Sequence, residues 1–120
     1  MINLYDHNIE SEQVYTFKKI DNVLNKFENL NNHSIIIGGD WNFILDKQLD
    51  AAGGNPKLKL NSIAEFTQLK NKFLLCEIFR IRHPDVKRFT FRQQNPSLSR
   101  RLDLFLISGT LQGRVRNVTP

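Results

Sequence analysis

The sequence lacks the features that define several protein classes. It contains 1 cysteine, so no disulfide can form within the chain, and Cys76 is expected to be a packed core thiol in a reducing compartment. No apolar run approaches the ~20 residues that span a bilayer, and the N-terminus has no basic-then-apolar signal pattern. These absences exclude a disulfide-stapled scaffold and predict an intracellular protein, cytoplasmic or nuclear, with no membrane partner.

The sequence does have a folded composition and an uneven basic charge. With 40% apolar and 24% charged residues, it fits a globular unit rather than a disordered chain. The net charge is +5, and residues 80–101 hold a basic cluster that is opposed locally by Asp85 alone. Such a cluster favours the phosphates of nucleic acid as a partner, and a solvated basic face without a ligand is the alternative. The cluster comprises Arg80, Arg82, Lys87, Arg88, Arg92, Arg100 and Arg101.

The most informative segment is residues 35–43 (IIIGGDWNF). Its β-branched residues favour a buried strand, predicted over residues 34–39, and two glycines then let the backbone turn tightly. Asp40 and Asn42 follow at the carboxyl end of this strand, where a carboxylate and an amide can converge on one phosphate or one attacking water. The alternative is an Asx-turn, in which Asp40 bonds its own backbone.

A second carboxylate lies in an apolar strand that is predicted over residues 99–108. Both faces of that strand are largely apolar, so Asp103 is expected to be buried and to need a hydrogen-bonding or charged partner. Two interpretations stay open. Asp103 either supports a functional site or forms a structural salt bridge with Arg100 or Arg101.

The spacing of apolar residues predicts three helices around these strands. Apolar residues recur every three or four positions over residues 11–30, which predicts a first helix with Ser11 as its N-cap. A weaker helix is predicted over residues 62–72, and a short one over residues 74–82. His83 follows the basic end of that third helix, which is typical of a capping residue rather than of a catalytic base.

A hairpin is predicted near the end of the chain. Residues 88–93 alternate apolar and polar side chains, which indicates a strand that buries Phe89 and Phe91 on one face. Residues 94–97 then turn this strand back onto the strand at residues 99–108. The hairpin and the strand before Asp40 are expected to share one sheet, with the polar residues of both motifs at the same end of it.

Residues 38–42 (GGDWN) and 99–103 (SRRLD) together resemble the endonuclease/exonuclease/phosphatase superfamily, and most closely the endonuclease domain of LINE-type (non-LTR) retrotransposons. The family pattern has a Gly-Asp-Phe-Asn segment, then a Thr-Phe or Thr-Trp pair, then an (Arg/Lys)-(Ile/Leu)-Asp strand. The segment at 90–91 (TF) fills the middle position. Residues 2–5 (INLY) look like the family's earlier strand, which ends in a phosphate-contacting tyrosine, and residues 75–84 (LCEIFRIRHP) match its helix and His-Pro. The resemblance covers nearly the whole chain.

A complete domain of that family is longer than this chain. It begins with strands that carry a metal-binding Asn and Glu, and it closes with a Ser-Asp-His segment. Neither has a counterpart here, and Trp41 replaces the commoner Phe. The resemblance therefore implies that residues 1–120 are the C-terminal half of the domain without its last strand. The implied fold is α/β, part of a four-layer α/β/β/α sandwich (deoxyribonuclease I-like), with one sheet and its helices and an uncovered face that exposes Ile and Phe side chains.

The resemblance also implies a role for each polar residue of the motifs. Asp40 would activate the attacking water and be a weak ligand of Mg²⁺, Asn42 would donate its amide to a phosphoryl oxygen, and Tyr5 would hydrogen-bond the same phosphate. Asp103 would orient a catalytic His and Thr90 would support a metal-binding Glu, but this chain has neither partner. The implied Mg²⁺ site is therefore incomplete. The residues expected to contact DNA are Arg88, Arg92, Arg100 and Arg101.

Three functions stay open. The first is a fragment of a Mg²⁺-dependent DNA-nicking endonuclease of retrotransposon origin, inactive alone, with DNA as partner and a reverse transcriptase domain elsewhere in a longer polyprotein. The second is a superfamily phosphatase acting on phosphoinositides or another small phosphate ester. The third is a non-catalytic basic module that binds nucleic acid or protein. The basic cluster and the loop at Thr90 suit a polymeric substrate and favour the first.

Overall fold

A computed structural model describes residues 2–6, 8–26 and 34–116 of the chain, which form a mixed α/β fold. No helix in these ranges combines the length and apolarity that crossing a membrane requires. The elements are, in chain order, β1 (Ile2–Tyr5), α1 (Glu10–Asn25), β2 (Ile36–Asp40), β3 (Ala51–Ala52), α2 (Leu60–Lys72), β4 (Leu75–Glu77), α3 (Ile78–Arg82), β5 (Phe91–Gln93), β6 (Leu98–Arg100), β7 (Asp103–Ser108) and a 3-10 helix (Gly109–Arg114).

The strands form two sheets rather than the one that was predicted. The main sheet has the order β1-β2-β7-β4, and the smaller sheet has the order β3-β6-β5. In the main sheet β1 runs parallel to β2, and the other pairs are antiparallel. The predicted strand over residues 99–108 is divided at residues 101–102, so its first part pairs with β5 in the small sheet and its second part with β2 in the main sheet. The predicted hairpin is confirmed as β5 and β6.

Helices α1 and α2 cover one face of the main sheet and build the core there. The apolar stripe of α1 buries Phe17 among the rings of Trp41, Phe43 and Phe66, at centroid distances of 5.8, 5.9 and 6.4 Å. Trp41 is 0% exposed, and its indole N–H donates to the Leu104 carbonyl at 3.0 Å. This cluster anchors the segment that follows β2, so the core fixes the position of the Asp-x-Asn motif.

The predicted helices exist with shifted ends. Helix α1 begins at Glu10, with Ile9 at the N-cap, so the prediction that Ser11 caps it is wrong. Two acidic residues in the first turn, Glu10 and Glu12, favour this start because they lie at the positive end of the helix dipole. Helix α2 begins at Leu60, two residues earlier than predicted. The last four predicted positions of the first helix, 27–30, lie outside the described residues.

The segment predicted to be a helix over residues 74–82 forms the strand β4 followed by the short helix α3. Leu74 has a φ of 54°, in the left-handed region, which ends helical conformation after α2. The next residues pair with β7 as β4, and helix α3 begins only at Ile78. Cys76 lies on β4 and is half-buried rather than packed in the core. Burial nevertheless raises the pKa of its thiol. His83 is the C-cap of α3, as predicted.

The hairpin does not bury the apolar face that its sequence suggests. The strand begins at Phe91 rather than at residue 88, and all residues of β5 are exposed. Phe91 itself is 43% exposed. The side chains of β5 therefore lie in solvent, whereas the residues of β6, which pairs with both β3 and β5, are half-buried.

Candidate active site at the edge of the main sheet

Three strands of the main sheet bring Tyr5, Asp40 and Asp103 into one row. Tyr5 is aligned with Asp40 in the parallel pair, and Asp40 is aligned with Asp103 in the antiparallel pair. Aligned residues on neighbouring strands point to the same face, with Cβ atoms about 5 Å apart. The prediction that the two carboxylates lie at the same end of one sheet is confirmed. Tyr5, 84% exposed, completes the row.

The Asp40 carboxylate has a perturbed proton affinity. Burial raises its pKa, the hydrogen bond from the Asn42 backbone N–H lowers it, and the neighbouring charge of Asp103 raises it again, with a net rise. The Asn42 bond reaches Asp40 Oδ1 at 2.9 Å and forms the Asx-turn that was the structural alternative at this position. The Asx-turn occupies one carboxylate oxygen, so the turn and a chemical role for the other oxygen are compatible.

Both polar groups of the Asn42 backbone, the N–H and the carbonyl, are hydrogen-bonded within the fold. Its φ is 54°, a left-handed conformation that asparagine tolerates. Its carbonyl accepts from Gln13 Nε2 and from Lys59 Nζ, both at 3.0 Å. Its side-chain Nδ2 donates to the Asp6 carbonyl at 2.6 Å. One of the two amide protons is thereby used within the fold.

Asp103 is exposed, so the expectation of a buried carboxylate is wrong. Its side chain lies on the face of the main sheet that α1 and α2 do not cover. No ion pair to Arg100 or Arg101 forms among the described residues. Instead the Thr90 hydroxyl oxygen accepts from the backbone N–H groups of Leu102 and Asp103, at 3.0 and 3.1 Å. Thr90 therefore fixes the first residues of β7.

Arg101 is 4% exposed, and its predicted position on a DNA-contacting surface is wrong. Its guanidinium donates to Asp50 Oδ1 at 2.8 Å and to Glu77 Oε1 at 3.0 Å. Burial lowers the pKa of Arg101, but the hydrogen bonds and charges of Asp50 and Glu77 outweigh that and raise it overall. The Asp50 carboxylate also accepts from Arg80 Nη2 and from the Leu45 backbone N–H. This ion cluster lies where the chain passes from the small sheet to the main sheet, between β6 and β7.

The remaining basic residues divide into two groups. Arg100 and Arg82 donate mostly to backbone carbonyls, including those of Gly53 and Gln112. The side chains that stay exposed beside the hairpin belong to Lys87, Arg88 and Arg92. The candidate phosphate-binding surface is therefore narrower than the sequence suggests.

An apolar groove runs beside the row of polar residues on the same face of the sheet. Phe105, 54% exposed, forms part of it, and its ring lies over Gly38, where an added Cβ would come within 2.2 Å of the ring. The other groove-lining apolar side chains include Ile36, Phe79, Ile107 and Val115. The predicted exposure of Ile and Phe on this face is confirmed for Phe105, whereas Ile107 is 5% exposed.

Four residues around the site were not singled out from the sequence: Asp6, Gln13, Asp50 and Lys59. Of these, only Gln13 could have been found from the sequence, because it stands four positions before Phe17 and so falls on the apolar stripe of α1. In the structure its side chain is 0% exposed. Asp50 and Lys59 lie in the long connection between β2 and α2, where no periodic pattern marks a buried polar residue.

The described residues do not make a complete magnesium site. No group of three or more His, Cys, Asp or Glu side chains lies together within residues 2–6, 8–26 and 34–116. Mg²⁺ prefers six oxygen ligands and often uses one or two carboxylates together with water and substrate phosphate. The pair of Asp40 and Asp103 can therefore hold such an ion only weakly by itself.

Comparison with protein-family models and with curated proteins found no significant match for this chain. The resemblance to the endonuclease/exonuclease/phosphatase superfamily therefore remains a prediction.

The pKa of Asp40 gives a direct test of that geometry. Asp103→Asn removes a negative charge beside Asp40 and is expected to lower the pKa of the Asp40 carboxyl. The titration followed by carboxyl carbon NMR checks this, and Asp85→Asn on the exposed loop after α3 is the matched control. An unchanged Asp40 titration in Asp103→Asn would mean that the two carboxylates are not neighbours in solution.

Proposed function

We propose that the chain carries part of the phosphate-binding and water-activating edge of a DNA phosphodiester hydrolase. The observation that carries this proposal is the row of Tyr5, Asp40 and Asp103. Like charges directly opposite each other on paired strands are unfavourable, so two adjacent carboxylates are costly unless a ligand or cation uses them. Pairs of this kind with a shifted pKa concentrate at functional sites.

The chemistry of each side chain supports a role in phosphoryl transfer. Asp40 has one oxygen in the Asx-turn, and its other oxygen can accept a proton from a water molecule. Its raised pKa makes it a better base than an ordinary aspartate. The exposed Tyr5 hydroxyl and the second amide proton of Asn42 can both donate to a phosphoryl oxygen. Asp103 increases the basicity of Asp40 through its charge.

A divalent metal would stabilise charge on the phosphoryl oxygens in such a reaction. The described residues offer that ion only Asp40 and Asp103, which is too few for firm binding. We infer that this chain binds DNA and does not cleave it at a detectable rate by itself.

We propose that the fold is part of a four-layer α/β/β/α sandwich (deoxyribonuclease I-like). A sheet with helices on one face and an apolar groove on the other is what one half of a four-layer α/β/β/α sandwich would present. The exposed Phe105 beside the polar row supports that assignment, together with the family resemblance to endonucleases of LINE-type retrotransposons. On this proposal the partner is DNA, and a second sheet would cover the groove.

The favoured polymer substrate rests on the position of the exposed basic residues. Arg88 and Arg92 lie near Thr90, whose hydroxyl holds the start of β7 at Asp103. Positive charge that extends from the row to the exposed strand β5 suits a continuous phosphate backbone better than a single small phosphate ester. This favours DNA over a phosphoinositide.

A non-catalytic nucleic-acid-binding module is the second candidate. It is favoured by one observation, which is that no third metal-ligating side chain joins Asp40 and Asp103 in the described part of the chain. Titration of Asp40 with and without Mg²⁺ separates the two. If the row derives from a hydrolase, we expect Mg²⁺ to lower the pKa of Asp40. If the row is purely structural, we expect Mg²⁺ to leave that pKa unchanged.

The proposal is tested with the whole chain, a short DNA duplex and supercoiled plasmid. We expect duplex binding with a dissociation constant in the range of roughly 10⁻⁴–10⁻⁶ M at physiological salt, as for non-specific binding, and no nicking with Mg²⁺. An inositol phosphate at the same phosphate concentration should compete poorly. Equal competition would favour the phosphatase, and absence of DNA binding would contradict the proposal. Nicking that Asp40→Ala abolishes would support the role of Asp40 and refute the inference of inactivity.

A further inference from the structure

Gln13 is a polar residue on the buried stripe of α1, where it is 0% exposed. An amide at such a position is costly unless its polar atoms are hydrogen-bonded. Both ends of this amide have partners: Nε2 donates to the Asn42 carbonyl at 3.0 Å, and Oε1 accepts from the Ser62 hydroxyl at 2.6 Å. Gln13 therefore links the two helices to the turn that follows Asp40.

The Gln13 amide is held in one orientation by a partner at each end. Ser62 is 0% exposed near the start of α2, and its hydroxyl donates to Gln13 Oε1. At the other end the Asn42 carbonyl can only accept a hydrogen bond, so it requires the Nε2 end of the amide. The reversed amide would place two oxygens against each other at Asn42.

Lys59 supplies the second donor to the same carbonyl. Its Nζ lies 3.0 Å from the Asn42 oxygen and 2.6 Å from the Asn8 oxygen. Burial lowers the pKa of the Lys59 ammonium, and the charges of Glu10 and Asp6 partly restore it. Two donors on one carbonyl fix the orientation of the peptide that follows a residue in the left-handed conformation.

The orientation of this peptide affects the Asp40 carboxylate through the backbone of Asn42. The Asn42 N–H donates to Asp40 Oδ1 at 2.9 Å, and the Asp6 N–H donates to the Asp40 carbonyl at 2.8 Å. A turn that is free to change its φ would lose the first of these bonds. Asp40 could then rotate away from Asp103.

We propose that Gln13, held in place by its hydrogen bond from Ser62, is a positioning residue for Asp40: its bond to the Asn42 carbonyl keeps the Asn42 N–H on the carboxylate and keeps the carboxylate in the row. This rests on the proposed function, since the orientation of Asp40 matters for chemistry only if Asp40 acts on a bound phosphate or water. The contact itself can be tested without nucleic acid.

Gln13→Glu exchanges the donor for an oxygen while keeping the shape of the side chain. The new carboxylate would repel the Asn42 carbonyl and attract the Lys59 ammonium, so the carbonyl would lose both donors. We expect hydrogen exchange of the Asn42 N–H to speed up roughly tenfold. We also expect the pKa of Asp40 to rise, because the bond from Asn42 lowers it in the native protein.

The matched control is Gln68→Glu, the same change at an exposed position on α2, which should alter neither readout. Ser62→Ala removes the hydroxyl that donates to the Gln13 amide and leaves Gln13 itself unchanged. This variant should speed hydrogen exchange of the Asn42 N–H by a few fold. If Gln13→Glu does not fold, Ser62→Ala decides. Folded variants in which both Asn42 exchange and the Asp40 titration match the native protein would overturn the proposal. Neither readout involves DNA, so failure of the proposed function would leave this result unaffected.

Discussion

Arg101→Ala is expected to lower the free energy of unfolding by about 3–5 kcal/mol, the usual cost of removing one member of a buried ion pair. The side chains of Arg101, Asp50 and Glu77 are 3%, 2% and 7% exposed. Without the guanidinium, Glu77 loses its partner at 3.0 Å, and Asp50 keeps only Arg80 as a cation. For a domain stabilised by roughly 5–15 kcal/mol, such a loss would leave much of the protein unfolded at moderate denaturant.

Urea unfolding followed by Trp41 fluorescence measures this effect, because the indole lies in the core cluster. Arg92→Ala is the matched control, since it removes the same side chain from the exposed strand β5 and should change stability by less than about 0.5 kcal/mol. Equal stability of the two variants would mean that Arg101 is a surface residue, as its sequence context suggested.

Arg92→Ala should instead weaken DNA binding. Loss of one phosphate contact is expected to reduce the slope of log affinity against log salt by about 1, with a similar effect on every DNA sequence. Combining it with Arg88→Ala should reduce the slope by about 2 and lower the affinity at low salt at least roughly tenfold. Fluorescence anisotropy of a labelled duplex over a salt series gives both quantities.

Lys18→Ala is the control for this experiment. Lys18 is exposed on α1, on the far side of the main sheet from Asp103. Its replacement by alanine removes the same unit of charge as Arg92→Ala. It should leave the salt slope unchanged. If it lowered the slope as much as Arg92→Ala, the attraction would belong to the net charge of +5 rather than to the hairpin.

The row at the sheet edge could be predicted because it depends on local patterns. The apolar run before Asp40 and the strand after Asp103 each indicate a strand, and their polar residues stand at the ends that antiparallel pairing brings together. The same patterns could not show which face of the sheet is covered. Asp103 was therefore expected to be buried, although it lies on the face that α1 and α2 do not cover and is exposed.

The ion cluster could not be predicted because its members are far apart in the sequence. Asp50 and Glu77 stand 51 and 24 positions from Arg101. When these two carboxylates are not known to be neighbours, two consecutive arginines before a strand are typical of a phosphate-binding surface. The predicted strand is divided at this same buried residue, Arg101, between β6 and β7.

Chemical-shift mapping with a short DNA duplex at low salt shows whether DNA binds at the row of Tyr5, Asp40 and Asp103. We expect the largest amide shifts at Tyr5, Asn42, Thr90 and Arg92, with little change along the exposed sides of α1 and α2. These shifts should shrink as salt is raised. Shifts centred on the helices, or an unperturbed row at Tyr5 and Asn42 while DNA is bound, would contradict the proposed DNA-binding site.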